Sequence, residues 1–209
     1  MTIRPSKSGS VSQSTFINTR ITKYTGESKP YSFEEGTVFQ SSYLEGQFIN
    51  LESVTLYNSS AAVGGYAMED SKFVGSYYDE EQQTFLPQLK IIGNTYSISS
   101  TAFTEAINGA IEVVNNQQGY FILTSSIFEG NKRLYDSDKS IVHFENAGSL
   151  QMSGCCFKEN NVSTGSGIDL NNTEEYSLGT NPQFENQKKL FSEKSIVRVV
   201  NTGISISGC

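Results

Sequence analysis

One phrase is written twice in this chain, and it constrains the fold more than any other feature. "KSIVHFENAGSLQMSGCCFKEN" runs from Lys139 to Asn160, and "KSIVRVVNTGISISGC" runs from Lys194 to Cys209. Both carry K-S-I-V, then an Asn and a Gly, then S-G-C. Self-similarity of this kind marks a repeat architecture in which each unit is one supersecondary element. Tyr43, Phe73, Phe103, Phe128, Phe157 and Phe184 fall in one column at a nearly constant interval.

The positions before this aromatic are also regular. Two residues earlier stand Ser41, Ser71, Thr101, Ser126 and Cys155; five earlier stand Val38, Met68, Ile98, Leu123 and Met152. Seven earlier come Tyr66, Tyr96, Phe121 and Leu150. Positions minus seven and minus five alternate as a strand does. Positions minus two and zero also alternate, but out of step with the first pair. The chain must therefore rotate between them, at Ser153-Gly154 and again at Ser207-Gly208. A further strand precedes these two. With Asn58, Asn115, Asn146 and Asn201 in one column, Leu56, Val113, Phe144 and Val199 lie two before it, and Val54, Ile111, Val142 and Val197 four before. Thr55, Glu112, His143 and Arg198 fall between and face outward.

Three short strands per unit predict an all-β chain, a single-stranded parallel β-helix (β-solenoid) of about six coils of roughly 25–30 residues. Right-handed winding follows from the hand of parallel crossovers. One coil cannot bury its apolar face alone; stacking coils about 4.8 Å apart closes a continuous core. Like then piles on like: the six aromatics as a core stack, the four Asn as a turn stack, where left-handed backbone geometry suits their amides. Residues 1–32 are expected to be a flexible tail and end cap, and residues 33–209 the β-helix, broken off within a longer array. "SYYDEEQQTF" (76–85) and "NTEEYSLGTNPQ" (172–183) read as loops inserted between strands.

F-x-x-N occurs at Phe128–Asn131 and Phe157–Asn160, and Gly-Ala-Ile at 109–111. This resembles the GGAI/FxxN repeats of polymorphic outer-membrane proteins, and more broadly the right-handed, pectin-lyase-like β-helix proteins, over residues 36–209. The resemblance implies a β-helix fold and a surface adhesion role.

A net charge of −7 argues against nucleic-acid binding, which needs a basic face to release counterions. No run of 18 apolar residues offers a transmembrane helix. The compartment is expected to be cytoplasmic if the chain is complete, and the cell surface or outside if it is a fragment. The sequons at Asn58, Asn161 and Asn171 occur as often as chance provides and decide nothing.

Polygalacturonase-type motifs (Asn-Thr-Asp, Asp-Asp, Gly-His-Gly) do not occur. The acidic clusters Asp79-Glu80-Glu81 and Asp136-Ser137-Asp138 read as solvated loops. His143, the one histidine, is expected in water beside Glu112 and Arg198. Cys155 and Cys209 share a column two rungs apart, about 10 Å, which is too far for a disulfide; Cys155 reads as a small core-filling thiol. No catalytic, cofactor or metal site is expected. The leading reading is a non-catalytic scaffold or adhesion segment presenting a polar face to a protein or glycan, with Tyr77 and Tyr78 as glycan contacts. A carbohydrate-active β-helix enzyme is the second reading, and an end-to-end assembly module the third.

Overall fold

Every element assigned in the computed structural model is a strand. The described residues are 2–3, 9–22, 31–92, 95–133 and 140–162, together with six strands between Ile168 and Ile206 described by backbone pairing. The backbone alone is described at 2–3, 115–118, 133, 147 and 162.

The chain is a parallel β-solenoid with three faces. The first face stacks Arg20–Thr22, Tyr43–Gln47, Ser60–Gly64 and Leu89–Ile91. The second stacks Gly9–Val11, Tyr31–Phe33, Ile49–Glu52, Tyr66–Glu69 and Thr95–Ser99. Both faces then continue through Ile111–Thr124 and Val142–Ser153, strands long enough to pass through the corner and join the two faces into one 16-stranded sheet. The third face is a separate 8-stranded sheet, from Thr15–Ile17 to Gln183–Glu185. Strands at Thr2–Ile3, Gly9–Val11, Thr15–Ile17 and Arg20–Thr22 already pair in register with their successors, so the ladder begins well before residue 33.

Register on the third face places Phe16, Phe39, Leu56, Phe73, Phe103, Phe128, Phe157 and Phe184 over one another. Among the described residues this column has eight levels, where six were expected. The circuits from Phe16 to Phe39, Phe39 to Leu56 and Leu56 to Phe73 are shorter than all the later ones, and shorter than the sequence period predicts. The rings of Phe73, Phe103, Phe128 and Phe157 are stacked at 5.0, 5.1 and 4.6 Å with interplanar angles of 5–12°. Such pairs add about 0.5–1.5 kcal/mol each beyond the area they bury. Phe184 is in register with Phe157. Tyr43 does not belong to this column: it pairs with Arg20 and Ser60 on the first face, and Phe39 and Leu56 fill the third-face levels there. Ser41 and Val38 move with it, Val38 lying on the third face beside Phe39.

The phase slip between strands has a backbone cause. Gln13, Gly36, Ser53, Asp70, Ser100, Ser125 and Gly154, each two residues before a third-face strand, all have φ between 46° and 79°. Asn18, Ser41, Asn58, Gly75, Glu105, Gly130 and Glu159, each just after one, have φ between 44° and 74°. A single left-handed residue swings the chain through the corner and returns the next side chain to the interior, at a cost only neighbouring order can offset.

The expected asparagine stack is divided. Asn58 ends a third-face strand, whereas Asn146 (φ 48°) turns the corner between the first and second faces within Val142–Ser153. Asn115 lies at that same corner, between the pairs Val114–Glu145 and Asn116–Ala147, and Asn201 lies outside the described residues. The amides that do stack belong to the F-x-x-N motif. Asn131 Nδ2 donates to Phe103 O (2.9 Å) and its Oδ1 accepts from Ala106 N–H (2.9 Å); Asn160 repeats this on Phe128 O (2.8 Å) and Asn131 N–H (2.9 Å). Both are buried. Earlier in the chain the same column holds Thr19, Ser42 and Ser59, where hydroxyls accept the preceding coil's N–H: Thr19 N–H to Ser42 (3.1 Å), Ser42 N–H to Ser59 (3.0 Å).

Candidate functional site

On the first face the inward positions are Ile21, Leu44, Ala61, Leu89, Ile111 and Val142, all buried. Strand alternation therefore turns their neighbours outward: Arg20, Tyr43 and Ser60 in one column, and Glu45, Ala62, Lys90, Glu112 and His143 in the next. Size varies sharply along these columns. The level carrying Ser60 and Ala62 has small side chains where Tyr43, Glu45 and Lys90 stand on either side, so the face dips there.

The insertion between Lys72–Val74 and Leu89–Ile91 folds back over the dip. Tyr78–Asp79 and Thr84–Phe85 pair antiparallel, and Asp79 Oδ1 closes the tip by accepting from the N–H groups of Glu81 (2.9 Å) and Gln82 (3.2 Å). The base is pinned on both sides. Ser60 Oγ donates to Pro87 O (2.6 Å), Asn108 Nδ2 to Phe85 O (2.6 Å), and Ile107 N–H to Ser76 Oγ (2.7 Å). Buried Gln88 donates through Nε2 to Gly75 O (2.7 Å) and Thr104 O (2.8 Å). Each bond ties the loop to a coil already fixed by the ladder, so the hairpin is a wall rather than a free loop. Between wall and face lies a groove of about 1610 Å3, partly open to solvent. That exceeds the about 300–1,000 Å3 of a drug-sized site and suits an extended ligand.

Tyr77 and Tyr78 both line this groove, and so does Tyr43. The Tyr43 and Tyr77 rings lie 6.0 Å apart, tilted by 41°, and the Arg20 guanidinium sits 5.0 Å from the Tyr43 ring centre. Tyr78 is 47% exposed, its ring edge-on to Phe85 at 5.1 Å. Partial burial, with Glu45 next and Asp79 and Tyr77 after it, pushes the Tyr43 phenol up to about 12 against the lowering effect of Arg20. It is a neutral hydrogen-bond donor at physiological pH. Asn18, Asn58, Gln82 and Asn108 supply amides around the rings, and Asp79, Glu80, Glu81, Glu105 and Glu112 supply carboxylates.

The other expectations fared differently from one another. His143 is not in water: it is 4% exposed, with Nε2 3.5 Å from Glu145 Oε2. Its column neighbours are Glu112 and, in register, Asp169, with Arg198 beyond. Thr55 belongs to the third face; Lys90 takes its place in this column, beside Glu112. Cys155 is fully buried and donates to Leu123 O (3.5 Å) and Ser153 O (3.6 Å), and burial pushes its thiol up to about 11. Asp136, Asp138 and Cys209 lie outside the described residues. Among the described residues no three His, Cys, Asp or Glu side chains gather as a metal site, and no helix is long and apolar enough to cross a membrane. No protein-family model matches the chain, and no curated protein matches it.

Proposed function

We propose that this chain is a non-catalytic β-solenoid scaffold that binds a glycan in the groove beneath the 76–87 hairpin. The observation that carries this reading is the Tyr43–Tyr77 pair set above a floor of Ser60 and Ala62 and ringed by amides and carboxylates. A pyranose ring presents C–H groups on its faces and hydroxyls at its rim. Partly exposed aromatic planes match the faces, and planar amide and carboxylate groups match vicinal hydroxyls. An extended peptide is a poorer guest. The floor's backbone is already committed to the ladder, and the hairpin strands are two residues each, too short to template another strand.

The likeness to pectin-lyase-like repeat proteins with an adhesion role belongs to the same proposal. It fits a tower that holds one long face rigid while inserted segments supply the specificity. Screening the chain on a glycan array, followed by calorimetric titration of the best binder, tests the reading. Tyr77→Ala is expected to weaken binding by about five- to 150-fold, since an aromatic contact with a ligand is worth roughly 1–3 kcal/mol, while urea unfolding still shows one cooperative transition. Absence of any glycan binding, or a Tyr77→Ala variant that binds as tightly as the parent, would overturn it.

A further inference from the structure

Resting on that reading, we infer that the groove takes an amine-bearing sugar chain, one built from glucosamine-type units, and turns away uronate chains. The charges along its walls are unequal. Five carboxylates, Asp79 to Glu81, Glu105 and Glu112, face the space against two cations, Arg20 and Lys90, an excess of three negative charges (five less two). Setting aside Glu112, whose register neighbour is His143, still leaves an excess of two. Glu80, Glu81 and Glu105 are exposed, so these charges reach a guest rather than being consumed inside the protein.

Walls of low dielectric concentrate such a field in a cleft, and the chain's net charge of −7 adds to it. A polyuronate would bring one like charge per sugar into that field, and like-charge juxtaposition is among the strongest means of rejecting a ligand. An ammonium-bearing sugar meets the opposite situation. The Arg20 guanidinium already holds one face of Tyr43, so the aromatic surface left to an ammonium group begins with Tyr77, a contact worth about 0.5–1 kcal/mol at an exposed site. Tyr78, at 47% exposure, offers a second aromatic surface near the acidic tip.

Three probes with the full chain test this by calorimetry: a 1,4-linked glucosamine oligomer, its fully N-acetylated counterpart, and a galacturonate oligomer of equal length. The glucosamine oligomer should bind about tenfold or more tighter than the acetylated one, and lose that advantage between low salt and about 0.15 M. The galacturonate oligomer should show no binding. The double variant Glu80→Gln/Glu81→Gln, confined to exposed tip residues, should narrow the ratio several-fold by weakening the glucosamine oligomer far more than the acetylated chain. Equal or tighter binding of the acetylated chain, or binding of galacturonate, overturns the charge assignment and leaves the glycan reading standing. If none of the three binds, the charge assignment falls, and a blank array removes the glycan reading as well. A tetralysine peptide binding as tightly as the glucosamine oligomer would reduce the effect to bulk charge and likewise overturn the assignment.

Discussion

Replacing Asn131 by Ala isolates the amide ladder that holds the coils in phase. Asn131 is fully buried and serves two backbone groups of the coil before it: it donates to Phe103 O at 2.9 Å and accepts from Ala106 N–H at 2.9 Å. The Ala variant leaves the Ala106 N–H without a partner where water does not reach, while Phe103 O keeps its place in the strand ladder. One orphaned buried group costs about 1–3 kcal/mol, which is the expected loss. One coil earlier the column holds Ala106, and there Thr104 Oγ1 donates to Phe73 O (3.0 Å) in place of the missing amide. The level of Asn131 has Glu129 where that Thr would be, so no hydroxyl is available to take over. Urea unfolding followed by far-ultraviolet circular dichroism measures the total, and amide exchange of Ala106 reports the local loss. Asn58→Ala is the comparison: Asn58 is exposed and left-handed (φ 44°), so Ala should cost only about 1 kcal/mol. A loss below about 1 kcal/mol in Asn131→Ala, with the Ala106 amide still protected, would refute the ladder as a source of stability.

The remaining predictions concern the core, the corners and the thiols. Phe103→Ala, between two stacked rings, should cost about 3–5 kcal/mol, and Tyr43→Ala less than half as much while abolishing glycan binding; unfolding and titration of both variants decide this. Gly148→Ala should unfold or aggregate on expression, because its Cβ would run into the carbonyl of Gly119 on the adjoining coil and backbone cannot yield there. Cys155 binds its proton more tightly folded (about 11) than unfolded (about 9), so its contribution is intact below pH 9 and disappears as pH rises to 11. Cys155→Ala should flatten the stability profile in that window by about 2–3 kcal/mol. Iodoacetamide at neutral pH should label half-buried Cys156 and leave Cys155 untouched, as peptide mapping would show.

The solenoid was legible because its strands alternate strictly, and because Phe73, Phe103, Phe128 and Phe157 recur with a small residue two places before. Tyr43 misled for a specific reason. The interval from Tyr43 to Phe73 equals that from Phe73 to Phe103, yet two short coils lie between Phe39 and Phe73. Leu56 fills the aromatic column at the intermediate level, and alignment on aromatics alone passes over an aliphatic rung. The same slip merged Asn58 with Asn146, which occupy different corners. The true amide ladder was signalled by F-x-x-N, since three residues past the inward Phe the chain has just turned its corner with the side chain pointing back inside. Nothing in the local pattern revealed the groove. It exists because a hairpin from one coil is pinned over small residues of the coil before, a relation visible only in three dimensions. His143 was misjudged similarly: its column faces outward, but adjoining levels close over it.

The two short coils make the tower a ruler. Each carries only what one circuit requires, so a second copy of residues 41–57 would join Tyr57 to Ser41 between matching places on successive rungs. Arg20 would then stand one notch, about 4.8 Å, farther from the hairpin, with Tyr43 kept and every later rung unchanged. The reach between the two ends of the groove is therefore adjustable in whole steps, and a series of such chains would read out the length of the guest they hold.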